Sequence, residues 1–94
     1  MKEKIEKPMT DEQLEKTVLD AYFSIRHPTM QEAPEGTAPD FRNTQDIIDD
    51  LRNIIFLSEG SVVRYLVENE YQLKPAIDGT LLWEIYREPV ADYL

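Results

Sequence analysis

Apolar residues recur along this chain at two different spacings, and the spacing changes near residue 71. Before that point they return every three or four residues, which is the period of an amphipathic helix. After it they alternate with polar residues, as in a half-buried strand. The pattern predicts three helices followed by a two-stranded β-hairpin, and therefore an α+β fold.

The first helix is predicted from Thr10 to about Arg26. Thr10 and Gln13 form a capping-box pattern at its start, and a residue that precedes a proline, as His27 does, is disfavoured in a helix. The apolar positions form one broad stripe: Leu14, Val18, Leu19, Ala21, Tyr22, Phe23 and Ile25. We expect cover on more than one side of this helix. Residues 1–9 precede it as a charged, flexible leader.

Residues 27–43 contain three prolines and one glycine, which predicts a loop longer than the usual connection. We expect this loop to be mobile. Its aromatic residue, Phe41, is expected to pack against the start of the next helix in the manner of a hydrophobic staple.

Two further helices are predicted, joined by a short turn. The second begins at Asn43 or Thr44, both of which are good N-caps. The third spans 59–69 behind the cap Ser58, and Asn69 is expected to end it in the left-handed conformation. Nine apolar residues mark the buried sides of the two helices: Ile47, Ile48, Leu51, Ile54, Ile55, Val62, Val63, Leu66 and Val67.

Asp78 and Gly79 predict the turn of the hairpin, of type I′ with positive φ at both residues. Tyr71 is expected to pair across the hairpin, and Glu88-Pro89 to end its second strand. Along that strand, Leu81, Trp83 and Ile85 are expected to face the helices. A single core should then unite five residues: Ile47, Leu51, Val62, Leu66 and Trp83.

The run FRNTQDIIDDLRNIIFLSEGSVVRYLVENEYQL and the hairpin YQLKPAIDGTLLWEIYR resemble the helix-turn-helix and the wing of winged helix domains. The match consists of a polar cap before an Ile-Ile-x-x-Leu helix, a serine-initiated turn, and a Val-Val-x-x-Leu helix that leads to an aromatic residue. The resemblance covers residues 41–87, with 10–26 as the first helix. The chain is also similar in pattern to short bacterial proteins. The resemblance implies one winged-helix-like domain over 10–94.

Charge sets the chain apart from DNA-binding members of that family. The net charge is −9, and every segment after residue 9 is net acidic. Cations on the third helix and the wing are few: Arg64, Lys74 and Arg87. Neutralisation of phosphates supplies most non-specific DNA affinity, so we expect a non-enzymatic protein-interaction or regulatory domain. Two alternatives stay open: a DNA-binding transcriptional regulator whose dimer gathers these cations into one strip, and an acidic DNA mimic.

Candidate chemistry is sparse. The chain has no cysteine, isolated glycines and one histidine, His27, at a helix end. Asp46, Asp49 and Asp50 are typical of a solvated helix face. We therefore expect no catalytic residue, metal, cofactor or small-molecule substrate. Without a secretory signal or an apolar run of membrane-spanning length, a cytoplasmic location is expected.

The partner is expected to be another protein or a second copy of the chain. Several apolar residues of the first helix and the tail exceed what one small core needs, and they form a candidate dimer surface: Tyr22, Phe23, Val90, Tyr93 and Leu94. The alternative is that all of them pack within the monomer.

Overall fold

The computed structural model describes residues 10–89 of the chain. Its helices occur in the predicted order: α1 (Asp11–Tyr22), α2 (Thr44–Asp50) and α3 (Glu59–Glu68). A short 3₁₀ helix, Phe23–Ile25, extends α1. The strands are β1 (Arg26–His27), β2 (Ala38–Pro39), β3 (Leu73–Pro75), β4 (Leu81–Trp83) and β5 (Tyr86–Arg87). The fold is α+β, as predicted.

Each helix begins at a predicted cap. The side chains of Thr10, Asn43 and Ser58 each accept a hydrogen bond from the backbone N–H three residues later. In turn, the side-chain oxygens of Gln13 and Asp46 accept hydrogen bonds from the backbone N–H groups of Thr10 and Asn43, which completes two capping boxes. These bonds satisfy amide groups that have no partner inside the helix.

The end of α3 differs from the prediction by one residue. Asn69 has φ −102°, and Glu70 is the residue with positive φ, at 69°. Tyr71 N–H donates to Leu66 O at 2.9 Å and Glu70 N–H to Val67 O at 3.0 Å. This is a Schellman motif, in which the two bonds satisfy the last helical carbonyls. The left-handed position therefore falls on a glutamate.

The predicted core is confirmed. Ile47, Leu51, Val62, Leu66 and Trp83 all belong to one buried cluster. The other members of this cluster come from α1, the 3₁₀ helix, α2, the connections that follow α2 and α3, and the strand region: Leu19, Phe23, Ile48, Leu57, Tyr71 and Ile85. Residues from all three helices and the second half of the hairpin thus share one interior.

The buried faces are narrower than the sequence predicts. Five residues expected on the buried side are exposed instead: Leu14, Ile54, Val63, Val67 and Leu81. Because α2 ends at Asp50, Ile54 falls in the turns beyond the helix and is 69% exposed. On α3 the buried residues are Val62 and Leu66, and Tyr65 packs beside them while partly exposed.

The predicted long loop is wrong for residues 38–42, which pair antiparallel with residues 83–87. Four contacts share one register: Ala38 with Arg87, Pro39 with Tyr86, the Asp40 N–H with Ile85 O at 2.8 Å, and Arg42 with Trp83. Prolines at positions 34 and 39 suggested a loop, but an edge strand tolerates proline because it needs only some of its N–H groups.

Strand β5 lies between β1 and β2, and β3 pairs with β4 as the hairpin. Phe41 packs edge-to-face on Tyr86 of β5, with ring centroids 5.7 Å apart. Tyr71 lies outside β3 and is buried, and its hydroxyl donates to Arg26 O at 3.0 Å. The prediction for Tyr71 is therefore wrong, because β1 supplies a partner that a lone hairpin lacks.

The hairpin turn is not type I′. Gly79 has φ 90°, whereas Asp78 is not among the residues with positive φ. Gly79 N–H donates to Ala76 O at 3.0 Å and Ala76 N–H to Thr80 O at 2.7 Å. This pattern belongs to a three-residue loop that ends in a left-handed glycine. Asp78 Oδ1 accepts from the Thr80 N–H and hydroxyl, and these bonds lower the pKa of Asp78.

Within residues 10–89, no helix combines the length and the apolar character needed to cross a bilayer.

Candidate functional site

The three cations singled out in the sequence lie on different parts of the molecule. Arg64 lies on the exposed side of α3 and lines a groove of about 460 Å³ between α1 and α3. Lys74 lies on β3, with its Nζ 3.6 Å from Oε1 of Glu84. Arg87 lies on β5, directly opposite Arg26 of β1. The three cations therefore lie on three different elements, and Lys74 is close to a carboxylate.

Carboxylates outnumber cations in the groove between α1 and α3. Its charged lining consists of Glu12, Glu15, Asp20 and Glu68 against Lys16 and Arg64. Asp20 accepts hydrogen bonds from Lys16 Nζ at 2.8 Å and from the Tyr65 hydroxyl at 2.6 Å, and both bonds lower the pKa of Asp20. Burial and the bond to Asp20 raise the pKa of Tyr65. This net negative lining makes the groove poorly suited to a polyanion.

The hairpin carries an apolar surface that continues outward from the core. Leu73 pairs with Trp83 and Pro75 with Leu81, so these side chains share one face of the hairpin. Trp83 is buried, but Leu73 is 45% and Leu81 54% exposed, and Ile77 at the turn is fully exposed. We call Leu73, Pro75, Ile77 and Leu81 the hairpin face.

A second exposed apolar site lies between α2 and α3. Phe56 is 81% exposed in the connection between these helices, and Ile54 precedes it in the turns beyond α2. Their neighbours Ile55 and Leu57 point inward: Leu57 is buried, and Ile55 packs against the core. This alternation leaves Ile54 and Phe56 exposed on the connection, outside the paired strands that carry most of the hairpin face.

The candidate dimer residues divide between core and surface. Phe23 is buried, with its ring stacked on Tyr65 at 5.4 Å and tilted against Tyr71 at 5.1 Å between ring centroids. Tyr22 is partly exposed, and its hydroxyl donates to Asp50 Oδ2 at 2.6 Å. Val90, Tyr93 and Leu94 lie outside the described residues.

A polar network joins α1, α2 and the segment before α2. Asp50 Oδ2 accepts from the Tyr22 hydroxyl and, at 2.7 Å, from Arg42, whose Nε donates to Asp40 at 3.4 Å. Burial and the bond to Asp50 raise the pKa of Tyr22. For Arg42, burial alone would lower the pKa, but Tyr22, Asp40 and Asp50 together raise it.

Sequence reasoning missed this network because Asp40 and Arg42 fall in the segment read as a loop. Their alternation in the run Asp40-Phe41-Arg42, with an aromatic residue between two charged ones, is the only sequence signal of a strand there.

The remaining candidate carboxylates each have a partner of their own. Asp46 accepts from the Asn43 N–H at 3.1 Å, and Asp49 accepts from Arg52 and from Gln45. His27 Nε2 lies 2.6 Å from Glu88 Oε2, and this contact joins β1 to the residue that follows β5. These contacts hold structural elements in place, and none of them converges with the others on a common point.

Comparisons of the chain with protein-family models, with curated proteins and with solved structures found no match.

Proposed function

We propose that this chain is a non-enzymatic, winged-helix-like domain that binds another protein through its hairpin face. The order of helix, extended segment, helix, short turn, helix and hairpin supports the winged-helix reading. Pairing of residues 38–42 with 83–87 supports it further, because this pairing holds the second half of the hairpin against the helices.

The observation that carries the proposal is the exposed apolar surface of the hairpin. Leu73, Leu81 and Ile77 extend the core face of the strands into solvent, where polar side chains would be more favourable for an isolated monomer. Contiguous apolar surface with a polar border is characteristic of interaction sites. Its removal from water on binding stabilises a complex by roughly 25 cal/mol per Å² before the costs of association.

The charge of the chain selects the partner. Acidic side chains lie on both α3 and the hairpin turn. They are Glu59, Glu68 and Glu70 on or beside α3, and Asp78 at the turn. The positive charge of Lys74, on the hairpin, is offset by the nearby carboxylate of Glu84. We therefore infer a partner protein that offers an apolar recess bordered by basic residues, since complementary charge favours encounter and orientation.

A comparison of matched variants tests this function. Tagged wild-type chain, Leu81→Glu and Phe56→Ser are used to capture proteins from the host extract, and each captured protein is then purified and titrated against the three forms. We expect binding that Leu81→Glu weakens at least tenfold, which corresponds to about 1.4 kcal/mol, and that Phe56→Ser leaves unchanged. A partner that binds both variants equally well contradicts the proposal.

Two other experimental outcomes would contradict this proposal and favour a different function. A concentration-dependent dimer that Ile77→Ser dissociates would make a second copy the occupant of the hairpin face. Binding to mixed duplex DNA at low salt, weakening steeply as salt is added and lost in Arg64→Glu, would favour the regulator reading.

A further inference from the structure

Asp78 and Gly79 form the one aspartate–glycine step of the sequence, and they lie at the exposed tip of the hairpin. Gly79 has φ 90°, and a Cβ atom at this position would have no contact within 4 Å beyond the adjoining residues. Glycine leaves the main chain mobile and unshielded. An aspartate that precedes a glycine can therefore react with the peptide nitrogen that follows it.

This reaction rearranges the peptide bond between the two residues. The carboxyl group of Asp78 takes a proton from water, and the Gly79 nitrogen then attacks Cγ. A bond between nitrogen and Cγ forms, while the acid hydroxyl and the amide proton leave together as water, which gives a cyclic succinimide. Water next adds to the main-chain carbonyl carbon of Asp78 and breaks its bond to the Gly79 nitrogen. The new carboxyl group returns the proton, and the product is isoaspartate.

Hydrogen bonds hold both reacting groups in the folded hairpin. Oδ1 of Asp78 accepts from the Thr80 N–H at 3.0 Å and from the Thr80 hydroxyl at 2.7 Å. The Gly79 N–H donates to Ala76 O at 3.0 Å. The bonds from Thr80 lower the pKa of Asp78, because they stabilise the ionised form. A carboxylate ion has no hydroxyl group to lose, so these bonds oppose the first step of the reaction.

Isomerisation would change the shape of the loop. In isoaspartate the main chain runs through Cβ and Cγ, which lengthens the loop between Ala76 and Thr80 by one carbon. The Ala76 N–H donates to Thr80 O at 2.7 Å, and this bond depends on the present length of the loop. Ile77, the fully exposed member of the hairpin face, lies in the same loop. The reaction would therefore displace part of the hairpin face.

We propose that Asp78 is a site of spontaneous isoaspartate formation, and that Thr80 restrains the reaction while the hairpin is folded. This inference does not depend on the protein-interaction proposal, since the chemistry requires only water and the chain itself. The hairpin face would be altered whichever molecule binds there.

Incubation of the full chain at neutral pH, either folded in buffer or unfolded in guanidinium chloride, tests the site. Trypsin then releases fragment 65–87, because the bond between Lys74 and Pro75 resists it, and Asp78 is the one aspartate of this fragment. Its aspartate and isoaspartate forms have the same mass, but chromatography separates them. We expect isoaspartate to accumulate more slowly in the folded chain. Equal rates in the two states, or no isoaspartate in the unfolded chain, overturn the proposal.

Two variants test the role of Thr80. Thr80→Val removes the hydroxyl but keeps the N–H group and the branched shape, whereas Thr80→Ser keeps both donors and is the matched control. Each folded rate is divided by the unfolded rate of the same variant, which removes any effect on the reaction itself. This ratio should rise about fivefold in Thr80→Val, because one of two bonds to the carboxylate is lost. It should stay unchanged in Thr80→Ser. Equal ratios in wild type and Thr80→Val contradict the role of Thr80.

Hydrogen exchange separates this restraint from a general opening of the hairpin. Exchange of the Ala76 N–H reports how often the loop opens, because this group donates to Thr80 O. In Thr80→Val, isoaspartate formation should increase by a larger factor than Ala76 exchange does. An equal increase in both would show that opening alone controls the reaction, and the restraint by Thr80 would be refuted.

Discussion

Nε1 of Trp83 donates a 3.0 Å hydrogen bond to Oγ1 of Thr44, which joins the hairpin to the first turn of α2. The backbone of Trp83 also pairs with Arg42, two residues before Thr44. One residue thus attaches the hairpin to the helical part of the molecule through both its side chain and its main chain. This attachment determines where the hairpin leaves the body and therefore which of its apolar residues remain exposed.

Removal of the Thr44 hydroxyl should destabilise the protein. Thr44→Val keeps the shape of the side chain but leaves the buried indole N–H without an acceptor, so we expect a loss of about 1–3 kcal/mol. Urea unfolding followed by far-UV circular dichroism measures it. In Trp83→Phe the same Thr44 substitution should cost less by about 1 kcal/mol, because the donor is already gone. Equal costs in the two backgrounds would show that this bond does not stabilise the fold.

Two isoleucines predicted on the same apolar side of the second helix should behave differently. Ile47 is fully buried, whereas Ile54 is 69% exposed. Ile47→Ala should therefore destabilise by about 2–5 kcal/mol, through lost burial and the cavity that remains. Ile54→Ala should change the free energy of unfolding by no more than about 0.5 kcal/mol. Chemical denaturation of both variants is sufficient, and similar losses would contradict the early end of α2.

Local rules explain which parts of this fold the sequence predicted. Thr10, Asn43 and Ser58 were identifiable as caps because their hydrogen bonds reach only three residues along the chain. The central core residues were identifiable because helical periodicity places them on one side. Residues 38–42 were not recognised as a strand, because their partners lie more than forty positions later in the chain.

Long-range pairing of this kind limits what sequence reasoning can predict about the surface of the molecule. Arg87 was singled out for its charge, but its pairing with Arg26 follows only from the register of the three-stranded sheet. For the hairpin face, alternation correctly placed Leu81 on the side of Trp83, yet it gave no information on where the core ends. Exposure of Leu81 follows from how far the hairpin extends, a property of the assembled structure.

Glycine at position 70 should stabilise the chain. Glu70 has φ 69°, a conformation that is unfavourable for a residue with a Cβ atom and favourable for glycine. We expect Glu70→Gly to raise the free energy of unfolding by about 0.5–1 kcal/mol, after the entropy of the more flexible unfolded chain is deducted. Asn69→Gly is the matched control. It should destabilise, because Asn69 has negative φ and its side chain donates to Tyr65 O at 2.8 Å. Thermal unfolding of both variants checks the pair, and stabilisation by Asn69→Gly alone would place the left-handed residue one position earlier.

Alkaline pH should destabilise the fold through its buried tyrosines. Burial raises the pKa of Tyr71 from its ordinary value of 10.0 to about 12, and burial and hydrogen bonds to aspartates also raise the pKa values of Tyr22 and Tyr65. Above pH 10 the unfolded chain releases phenolic protons that the folded chain retains, so the free energy of unfolding falls as pH rises. The contribution of Tyr71 is complete below pH 10 and is lost progressively up to about pH 12.

Tyr71→Phe isolates this effect. At neutral pH the variant should be less stable by about 1 kcal/mol, because the hydroxyl no longer donates to Arg26 O. Between pH 10 and 12, however, its stability should fall less steeply than that of the wild type, by about 1.4 kcal/mol per pH unit for the one tyrosine removed. Urea unfolding at a series of pH values measures both slopes, and ultraviolet absorbance reports tyrosinate formation in the folded chain. Parallel slopes in the two proteins would mean that Tyr71 ionises as readily in the folded state as in the unfolded one, which is incompatible with a buried tyrosine whose hydroxyl donates to Arg26 O.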